Sequence, residues 1–354
     1  ALLKAFARIL EREAPRPVLV ARMLADAFLV LFPYKGKGEL VTYCEAYSRA
    51  LNGFIVSREQ NYQLELRSGI CCVEDSDASD INSLLDRANM ALKTIKVKGA
   101  AQWKFYDHTM RDKLLREKDL EIRMEKALAD GEFLVYIQPK YWVGTRALAG
   151  GEALVRWKSP DQGFLSPGEF IPLFEKNRFI VKLDQFMFTS VCGLLRQWLD
   201  AGIEPRPLSV NVSRMQFHTP DFVERYIRIK SQYAIPDGLL ELEFTESIFF
   251  DNVALLSSAV HELRRAGIKC SIDDFGAGYS SLNVLKALPV SVLKLDGMFF
   301  RTAKDDEQAK IVIRNIMRMA GELKMATVAE GVETHEQVAF LETTGCDIIQ
   351  GYVF

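Results

Sequence analysis

Two neighbouring carboxylates, Asp273 and Asp274, follow an apolar run within the segment Lys269–Ser281. Phe275 and Gly276 come next, so the pattern predicts a buried strand that leads into a glycine-containing loop. Two negative charges at the rim of a core are costly unless a cation compensates them, and hard divalent metals bind oxygen ligands of this kind. The pair therefore indicates a metal site, while a solvated strand end or a helix N-cap is an equally good interpretation of these two residues alone.

The same pattern recurs along the rest of the chain, where short apolar runs end in polar or acidic residues. Segments with helical periodicity lie between them, including Gly168–Lys176, Leu183–Ala201 and Asn252–Gly267. This alternation predicts an α/β fold, a (β/α)8 barrel of TIM type, in which the carboxyl ends of the strands gather the catalytic residues. The eight predicted strands are Phe133–Gln138, Gly150–Arg156, Leu208–Ser213, Leu239–Glu246, Cys270–Asp274, Val292–Asp296, Ala326–Glu333 and Asp347–Gly351.

Seven motifs in this part of the chain resemble those of EAL-domain cyclic di-GMP phosphodiesterases, in the family's order and with similar spacing. The resemblance covers essentially everything from Glu132 to the last residue. It implies a hydrolase that converts cyclic di-GMP to linear pGpG with two Mg²⁺ or Mn²⁺ ions per barrel. The motifs are Glu152–Arg156, Asn211–Ser213, Glu243–Glu246, Asp273–Tyr279, Leu293–Asp296, Glu330–Glu333 and Gln350–Tyr352.

The resemblance also implies which residues would hold the metal ions. Oxygen-only ligands of this kind suit Mg²⁺ or Mn²⁺ better than zinc. The implied ligands are Glu152, Asn211, Glu243 and Asp273 for one ion, and Asp273 and Asp274 for the second, where Glu330 would complete the site or orient a water.

Catalytic and substrate-binding roles follow from the same resemblance. Lys294 would position or deprotonate the attacking water, with Glu152 and Glu330 as the other catalytic residues. Glu246 would anchor the loop after Asp274 rather than bind metal. The implied substrate contacts are Gln138, Arg156, Asp296, Glu333 and Gln350, the last of which would also hold the site together by hydrogen bonding.

Elementary chemistry agrees with these implied roles. Two divalent ions roughly 3.5–4 Å apart supply both an activated water and charge neutralisation for phosphodiester hydrolysis. A lysine beside such a cationic pair could have a lowered pKa, so a neutral Lys294 that acts as a base is a hypothesis. Taken singly, Asn211 could close a turn, Glu330 could cap a helix and Lys294 could protect a sheet edge. Their joint occurrence favours the catalytic interpretation.

Residues 1–107 resemble a GGDEF diguanylate cyclase domain whose working residues are replaced. Within Val20–Phe28, Leu24, Ala25 and Ala27 stand where the family has Gly, Gly and Glu. The glycines normally let the backbone approach nucleotide phosphate, and the glutamate normally helps to bind metal. We therefore expect a degenerate domain without cyclase activity. A nucleotide or a protein could still bind it, which leaves regulatory and scaffold roles open.

Two further departures concern the same domain. Pro15 and Val18 occupy the positions of the Arg and Asp that form the family's inhibitory product site, so feedback through that site is not expected. A helix is predicted over Leu2–Glu13, near what resembles the middle of a cyclase domain, and we expect that the first half of the module is absent from this chain. From the same resemblance, we expect that the last barrel helix of the family is not represented in this chain.

The segment 108–130 has charges of both signs at helical spacing and predicts a solvated connecting helix before a barrel over 131–354. A lever that passes a state change into the barrel is the alternative. In the segment Ser280–Leu288, the apolar spacing is compatible both with a homodimer through the barrel and with packing onto the barrel itself.

Composition adds general limits. The 354 residues are 49% hydrophobic and 26% charged, with a net charge of −2, which is ordinary for two globular domains. Six cysteines without metal-type spacing predict reduced thiols in a cytoplasmic protein, and a membrane tether outside this chain stays open. The absence of a basic stripe with interleaved aromatics favours a dinucleotide over polymeric nucleic acid. An active phosphodiesterase is thus the favoured interpretation, and a non-catalytic cyclic di-GMP receptor or a scaffold is the alternative.

Overall fold

The computed structural model describes residues 2–12, 16–56, 65–73, 80–95, 102–246, 248, 253–276, 289–302 and 306–353. The chain divides into two compact units, Ala1–Lys118 and Asp119–Phe354. The segment Ser280–Leu288, for which the sequence left both dimerisation and packing onto the barrel open, lies outside the described residues.

The first unit combines helices with two small sheets. Its elements are α1 (Leu2–Arg12), β1 (Leu19–Arg22), β2 (Phe28–Leu31), α2 (Lys37–Val56), β3 (Ser68–Ile70), α3 (Ile81–Lys93) and β4 (Trp103–Phe105). Strands β1 and β2 form an antiparallel hairpin, whereas β3 and β4 are parallel. Phe6 and Leu10 of α1 pack against Tyr47 and Leu51 of α2, so burial of these apolar side chains joins the two helices.

The segment Val20–Phe28, which the sequence predicts to be a degenerate cyclase signature, lies on the β1–β2 hairpin. Leu24 at its tip is 81% exposed, and Ala25 adopts a left-handed conformation with φ +52°. The Arg22 guanidinium donates two hydrogen bonds to the Ala25 carbonyl, which stabilises the turn. The hairpin therefore keeps its shape although alanine occupies a position where glycine is favoured.

Helix α4 (His108–Ala129) contains the boundary between the two units. Its second half is not solvated on all sides, contrary to the prediction. Leu120 and Ala127 are fully buried in a cluster with Phe133, Trp157 and Phe170. Their spacing of seven residues puts both on one helical face, and the surrounding charges obscured this face in the sequence.

The second unit contains a closed barrel of eight strands, which confirms the predicted fold and all eight predicted strands. Strands β6 and β8 to β13 are parallel, and β7 is a side strand paired with β6. The first strand, β5, departs from the TIM pattern because it runs antiparallel to both of its neighbours, β6 and β13. The strands are β5 (Phe133–Trp142), β6 (Leu148–Ser159), β7 (Gly163–Leu165), β8 (Leu208–Asn211), β9 (Leu240–Thr245), β10 (Ile268–Phe275), β11 (Val292–Leu295), β12 (Ala326–Ala329) and β13 (Ile348–Gln350).

Helices surround this barrel and bury the outer faces of its strands. In β9, for example, Leu242 and Phe244 belong to the main core together with Val260 and Leu263 of α8. Helix α5 begins with a capping box between Ser166 and Glu169. The barrel helices are α5 (Pro167–Lys176), α6 (Ile180–Asp200), a 3-10 turn (Arg214–His218), α7 (Phe222–Gln232), α8 (Val253–Arg265), α9 (Met298–Thr302), α10 (Glu307–Glu322) and α11 (His335–Thr344).

Candidate active site

Lys294, on β11, is the centre of the candidate site and is completely buried. Its Nζ lies 2.5 Å from Glu243 Oε2 and 2.6 Å from Glu330 Oε1. Asp273 Oδ1 is 3.0 Å away and Glu152 Oε2 is 3.4 Å away. Strands β6, β9 and β10 and the residue after β12 thus bring four carboxylates to one ammonium group. A buried charge needs such partners, but one cation is surrounded here by an excess of negative charge.

Three amide side chains connect the rim of this cluster. Asn211, at the end of β8, donates from Nδ2 to Glu152 Oε1 at 2.6 Å. Gln350, at the end of β13, donates from Nε2 to Glu152 Oε2 at 2.6 Å and to Gln138 Oε1 at 3.1 Å. The buried Gln350 Oε1 has no hydrogen-bond partner among the described residues. An unpaired buried acceptor at such a place leaves a position for a water or a ligand donor.

A second group of acidic oxygens lies at the end of β10. One carboxylate oxygen each from Asp273, Asp274 and Glu330 can be chosen so that all three lie within 4.8 Å of one another. Asp274 has a left-handed backbone with φ +54°. That conformation costs energy in a residue other than glycine, and such strain concentrates at functional sites.

The loop that follows β10 begins with a contact to Glu246. The Gly276 N–H donates to Glu246 Oε2 at 3.1 Å. Gly276 has φ +91°, and a Cβ there would lie 2.2 Å from the Phe299 ring. Only glycine fits this position, and the hydrogen bond is the contact that the predicted anchoring role of Glu246 requires.

Burial and charge crowding shift the pKa values of this cluster. Burial raises the pKa of Asp273 well above its usual value, although Lys294 opposes the shift. Burial also raises the pKa values of Glu330 and Asp274, and neighbouring Asp296 adds to the shift of Asp274. The raised pKa values mean that these carboxyl groups resist ionisation. The cluster therefore contains more acidic groups than its lysines can neutralise.

Glu243 and Lys294 behave in the opposite way. Burial opposes ionisation of Glu243, but Lys140 and Lys294 outweigh it and lower the pKa of this carboxyl to about 2. Burial also works against the charge on Lys294, yet the four carboxylates around it raise its pKa well above the usual value. Lys294 would therefore become neutral only if other cations bound these carboxylates in its place.

The donor set fits hard divalent cations. The candidate ligands offer carboxylate or amide oxygens, which Mg²⁺ and Mn²⁺ prefer, and no cysteine or histidine was among them. Added positive charge would also relieve the repulsion that raises the pKa values of Asp273, Asp274 and Glu330.

A cavity of about 690 Å³ opens beside this cluster. Arg156, Asn211 and Asp274 line it, together with Glu175 and Asp184 from the helical layer. Burial raises the pKa of Asp184 to about 7. The sequence did not identify these last two carboxylates, because each lies inside a helix where acidic residues are common.

The predicted substrate-binding residues differ in how close they lie to the acidic centre. Gln350 bonds directly to Glu152 of the cluster, Gln138 is connected to the cluster through Gln350, and Asp296 lies beside Asp274. The Arg156 guanidinium lies 5.7 Å from the centre of the Tyr136 ring at the cavity wall. Glu333 is exposed, and its backbone N–H donates to Gln337. The structure thus joins Gln138, Gln350 and Asp296 to the acidic centre, and it leaves Glu333 at the surface.

Sequence reasoning missed two interior side chains, Lys140 and Ser209. Lys140 Nζ donates to Ser209 Oγ at 2.7 Å and to Glu243 Oε1 at 2.8 Å. The signal was present, because side chains alternate along a strand and Lys140 follows Gln138 by two residues. The antiparallel direction of β5 carries the strand past Gln138 into the interior, which the prediction of a strand ending at that residue did not allow.

Fold and site together define a TIM-type barrel protein with an acidic centre at the carboxyl ends of its strands. The family model of the EAL domain matches residues 122–354, and that of the diguanylate cyclase GGDEF domain matches residues 1–102. The chain belongs to the EAL-domain family and carries a GGDEF domain ahead of the barrel, as the motifs predicted.

Several relatives support this assignment. The bifunctional diguanylate cyclase/cyclic di-GMP phosphodiesterase MucR of Pseudomonas aeruginosa is 30% identical over 335 residues, which are 94% of this chain and 49% of the relative. The cyclic di-GMP phosphodiesterase NbdA of the same organism is 31% identical over 95% of this chain and 43% of the relative. The chain spans about half the length, or less, of the curated relatives it matches first.

A solved structure gives the same result for the barrel. The PaMucR phosphodiesterase in complex with c-di-GMP superimposes with a TM-score of 0.63 at 35% identity. The match covers 66% of this chain and 95% of that structure. Within the part of the chain that the structure describes, no helix has the length and apolar character needed to cross a bilayer.

Proposed function

We propose that the barrel is a metal-dependent phosphodiesterase that hydrolyses cyclic di-GMP to linear pGpG. The observation that carries this proposal is the convergence of four carboxylates on Lys294, with Asn211 and Gln350 bonded to one of them. Relatives named as cyclic di-GMP phosphodiesterases belong to the same family. Hydrolysis joins a water oxygen to phosphorus and breaks the bond to a 3′ oxygen, which leaves as a hydroxyl.

The proposed metal ligands are those implied by the motifs. Glu152, Asn211, Glu243 and Asp273 would hold one ion, and Asp273, Asp274 and Glu330 would hold the other. Bound Mg²⁺ or Mn²⁺ would supply a water that is activated at neutral pH and would neutralise the phosphodiester charge. The close approach of three carboxylate oxygens at the end of β10 supports the second position.

Lys294 would hold the attacking water and accept its proton. With its pKa raised by four carboxylates, the amine is protonated as long as it is their main counter-charge. Divalent ions would replace it in that role, which favours release of its proton. The proposal therefore links the base function of Lys294 to occupancy of the carboxylates.

The dinucleotide would bind along the cavity beside the cluster. The volume of this cavity, about 690 Å³, is within the range of small-molecule binding sites. Arg156 at the wall would face phosphate, with Gln138, Asp296, Glu333 and Gln350 as further contacts. Glu175 and Asp184, which line the cavity from helices α5 and α6, could accept hydrogen bonds from the N–H groups of a guanine edge.

We also propose that the GGDEF domain is not a cyclase and serves as a regulatory module. Leu24, Ala25 and Ala27 at its hairpin tip lack the backbone freedom and the carboxylate that the reaction needs. A nucleotide or a protein partner would be its ligand. A homodimer through the barrel stays a prediction.

Product chromatography of the purified chain with cyclic di-GMP and Mn²⁺ tests the enzymatic proposal. We expect pGpG from the wild type, loss to background in Glu152→Ala, and a loss of at least about 100-fold in Lys294→Met because a general base is removed. Lys182→Met is a matched control, since the Lys182 side chain is 58% exposed and its ammonium pairs with Glu125. Tight binding of cyclic di-GMP without turnover by the wild type would instead identify a receptor, and turnover within a few-fold in Lys294→Met would refute the base role.

A further inference from the structure

A second buried lysine, Lys140, lies in the barrel interior next to the acidic centre. Its residue is 6% exposed, and its backbone on β5 is opposite Gly150 of β6 and Gln350 of β13. The ammonium group donates to Ser209 Oγ and to Glu243 Oε1. None of the roles proposed above uses this residue.

Two lysines hold the two oxygens of Glu243. Lys140 binds Oε1 at 2.8 Å, and Lys294 binds Oε2 at 2.5 Å. Lys294 is shared among four carboxylates, whereas Lys140 is fixed by the hydroxyl of Ser209 on β8, the strand next to β9. The hydrogen bond from Lys140 to Glu243 Oε1 can therefore persist when a metal ion replaces Lys294 at Oε2.

We propose that Lys140 is a positioning residue that fixes one oxygen of Glu243 in the barrel interior and thereby presents the other oxygen to the metal ion. This inference rests on the proposed function. Ligating carboxylates are commonly oriented by hydrogen bonds from residues behind them, and loss of such a partner weakens metal binding. Lys140 supplies such a partner from a strand that carries no metal ligand.

The rival role for Lys140 is that of a simple counter-charge. Glu241 is also buried in the interior, its Oε1 has no hydrogen-bond partner in the described part of the chain, and Lys140 lies close enough to influence it electrostatically. A lysine that acts only by its charge repels divalent ions, so its removal would tighten metal binding. A positioning lysine has the opposite effect, and the sign of the change separates the two roles.

Mn²⁺ titration of the full chain, followed by electron paramagnetic resonance without substrate, measures this sign. We expect Lys140→Met to bind Mn²⁺ about tenfold more weakly than the wild type, since the interior hydrogen bond is lost. The exposed lysine variant Lys182→Met is expected to bind as the wild type does. Circular dichroism and thermal melting verify that each variant is folded.

A double variant, Lys140→Met with Glu241→Gln, removes one basic and one acidic side chain from the interior, so the formal charge of the sequence stays the same. We expect the same roughly tenfold weakening, since the contact to Glu243 is again lost. Affinity equal to or tighter than that of the wild type in either folded Lys140 variant would overturn the proposal. If neither folds, Ser209→Ala decides. Mn²⁺ binding weaker by about threefold or more supports the proposal, and unchanged binding refutes it.

Turnover measurements keep this inference distinct from the enzymatic proposal. In Lys140→Met, raised Mn²⁺ is expected to restore most of the lost kcat, while KM for cyclic di-GMP stays near that of the wild type. A fall in activity that added Mn²⁺ does not relieve would contradict the positioning role. A wild type that binds Mn²⁺ without hydrolysing cyclic di-GMP would refute the proposed function and leave this inference standing, whereas a wild type that binds no Mn²⁺ would refute both.

Discussion

Asp184 of α6 is a buried carboxylate whose charge depends on pH in the neutral range. It accepts hydrogen bonds from the Ser213 N–H at 2.9 Å and from Gln216 Nε2 at 3.2 Å. Burial outweighs these bonds and raises its pKa from 3.8 to about 7. The folded barrel therefore keeps a proton that the unfolded chain has already released, and this difference links stability to pH.

We predict that Asp184 lowers the free energy of unfolding as pH rises. Between about pH 4 and pH 7 the folded state binds more protons than the unfolded state at this residue, so stability falls across that window. In Asp184→Asn this contribution disappears, and the stability of the wild type relative to the variant should decline by up to about 1.4 kcal/mol per pH unit. Urea unfolding at several pH values measures the difference.

Asp161→Asn is the control for this experiment, since its side chain is 82% exposed. The free energy of unfolding of Asp161→Asn should change with pH in the same way as that of the wild type at every pH measured. An Asp184→Asn variant with the same pH dependence as the wild type would mean that Asp184 is ionised in the folded protein.

Residue by residue, the sequence predicted the strand-end ligand candidates better than the side chains behind them. Asp273, Asn211 and Glu330 end or follow apolar runs, so a parallel barrel brings them together whatever the details of packing. Lys140 and Asp184 lie within a strand and a helix, and their environment depends on which neighbours surround them. No local pattern encodes that environment, which is why they emerged only from the fold.

At the scale of elements, the transition from β10 into its loop is the most constrained. Asp274 and Gly276 both have positive φ, and the Gly276 N–H is held by Glu246. The Phe299 ring fills the space where a side chain of residue 276 would lie. Backbone strain and close packing thus both fix the point at which the acidic pair leaves the strand.

Comparison of Gly276→Ala with Gly163→Ala should separate these two effects. Gly163 has φ +71° but open space around its Cβ position, whereas the Cβ of residue 276 would lie 2.2 Å from Phe299. We expect Gly163→Ala to cost about 1–2 kcal/mol of stability with normal turnover. Gly276→Ala should cost more and reduce cyclic di-GMP turnover about tenfold, because the hydrogen bond to Glu246 is displaced.

Addition of Phe299→Ala to Gly276→Ala should recover part of the stability, since it removes the steric clash. Thermal melting and initial rates provide both measurements. If Gly276→Ala and Gly163→Ala lose the same amount of stability, backbone conformation alone determines the loss.

Element types followed from the sequence, but the direction of β5 did not. Alternating polarity indicates a strand without giving its orientation, and the βαβ pattern that fixes direction begins only with β6. The buried half of α4 was obscured for a similar reason, because only a few apolar residues mark a face that charged residues otherwise surround.

At the scale of the whole molecule, the regulatory hypothesis predicts that the first domain changes the activity of the barrel. A fragment that starts at His108 retains Leu120 and Ala127, which the barrel needs to cover Phe133 and Trp157. We expect GTP or another guanine nucleotide to change the rate of cyclic di-GMP hydrolysis by at least about fivefold in the full chain and not in the fragment. Steady-state kinetics of both proteins test this.

The stability of the fragment must first match that of the barrel in the full chain. Identical kinetics of the two proteins under every nucleotide condition would eliminate the regulatory role. Such a result would leave a scaffold role for the degenerate domain.

The closure of the barrel by its first and last strands also has a consequence for how the protein is made. Gln138 and Gln350 meet across 212 positions of sequence, and Glu152 meets Gln350 across 198. During synthesis, β5 and β6 leave the ribosome long before β13 exists, so β5 has one unpaired edge for most of that time. Contacts of such sequence separation form slowly. The acidic centre is therefore completed only after β13, the last strand of the barrel in chain order, has been translated.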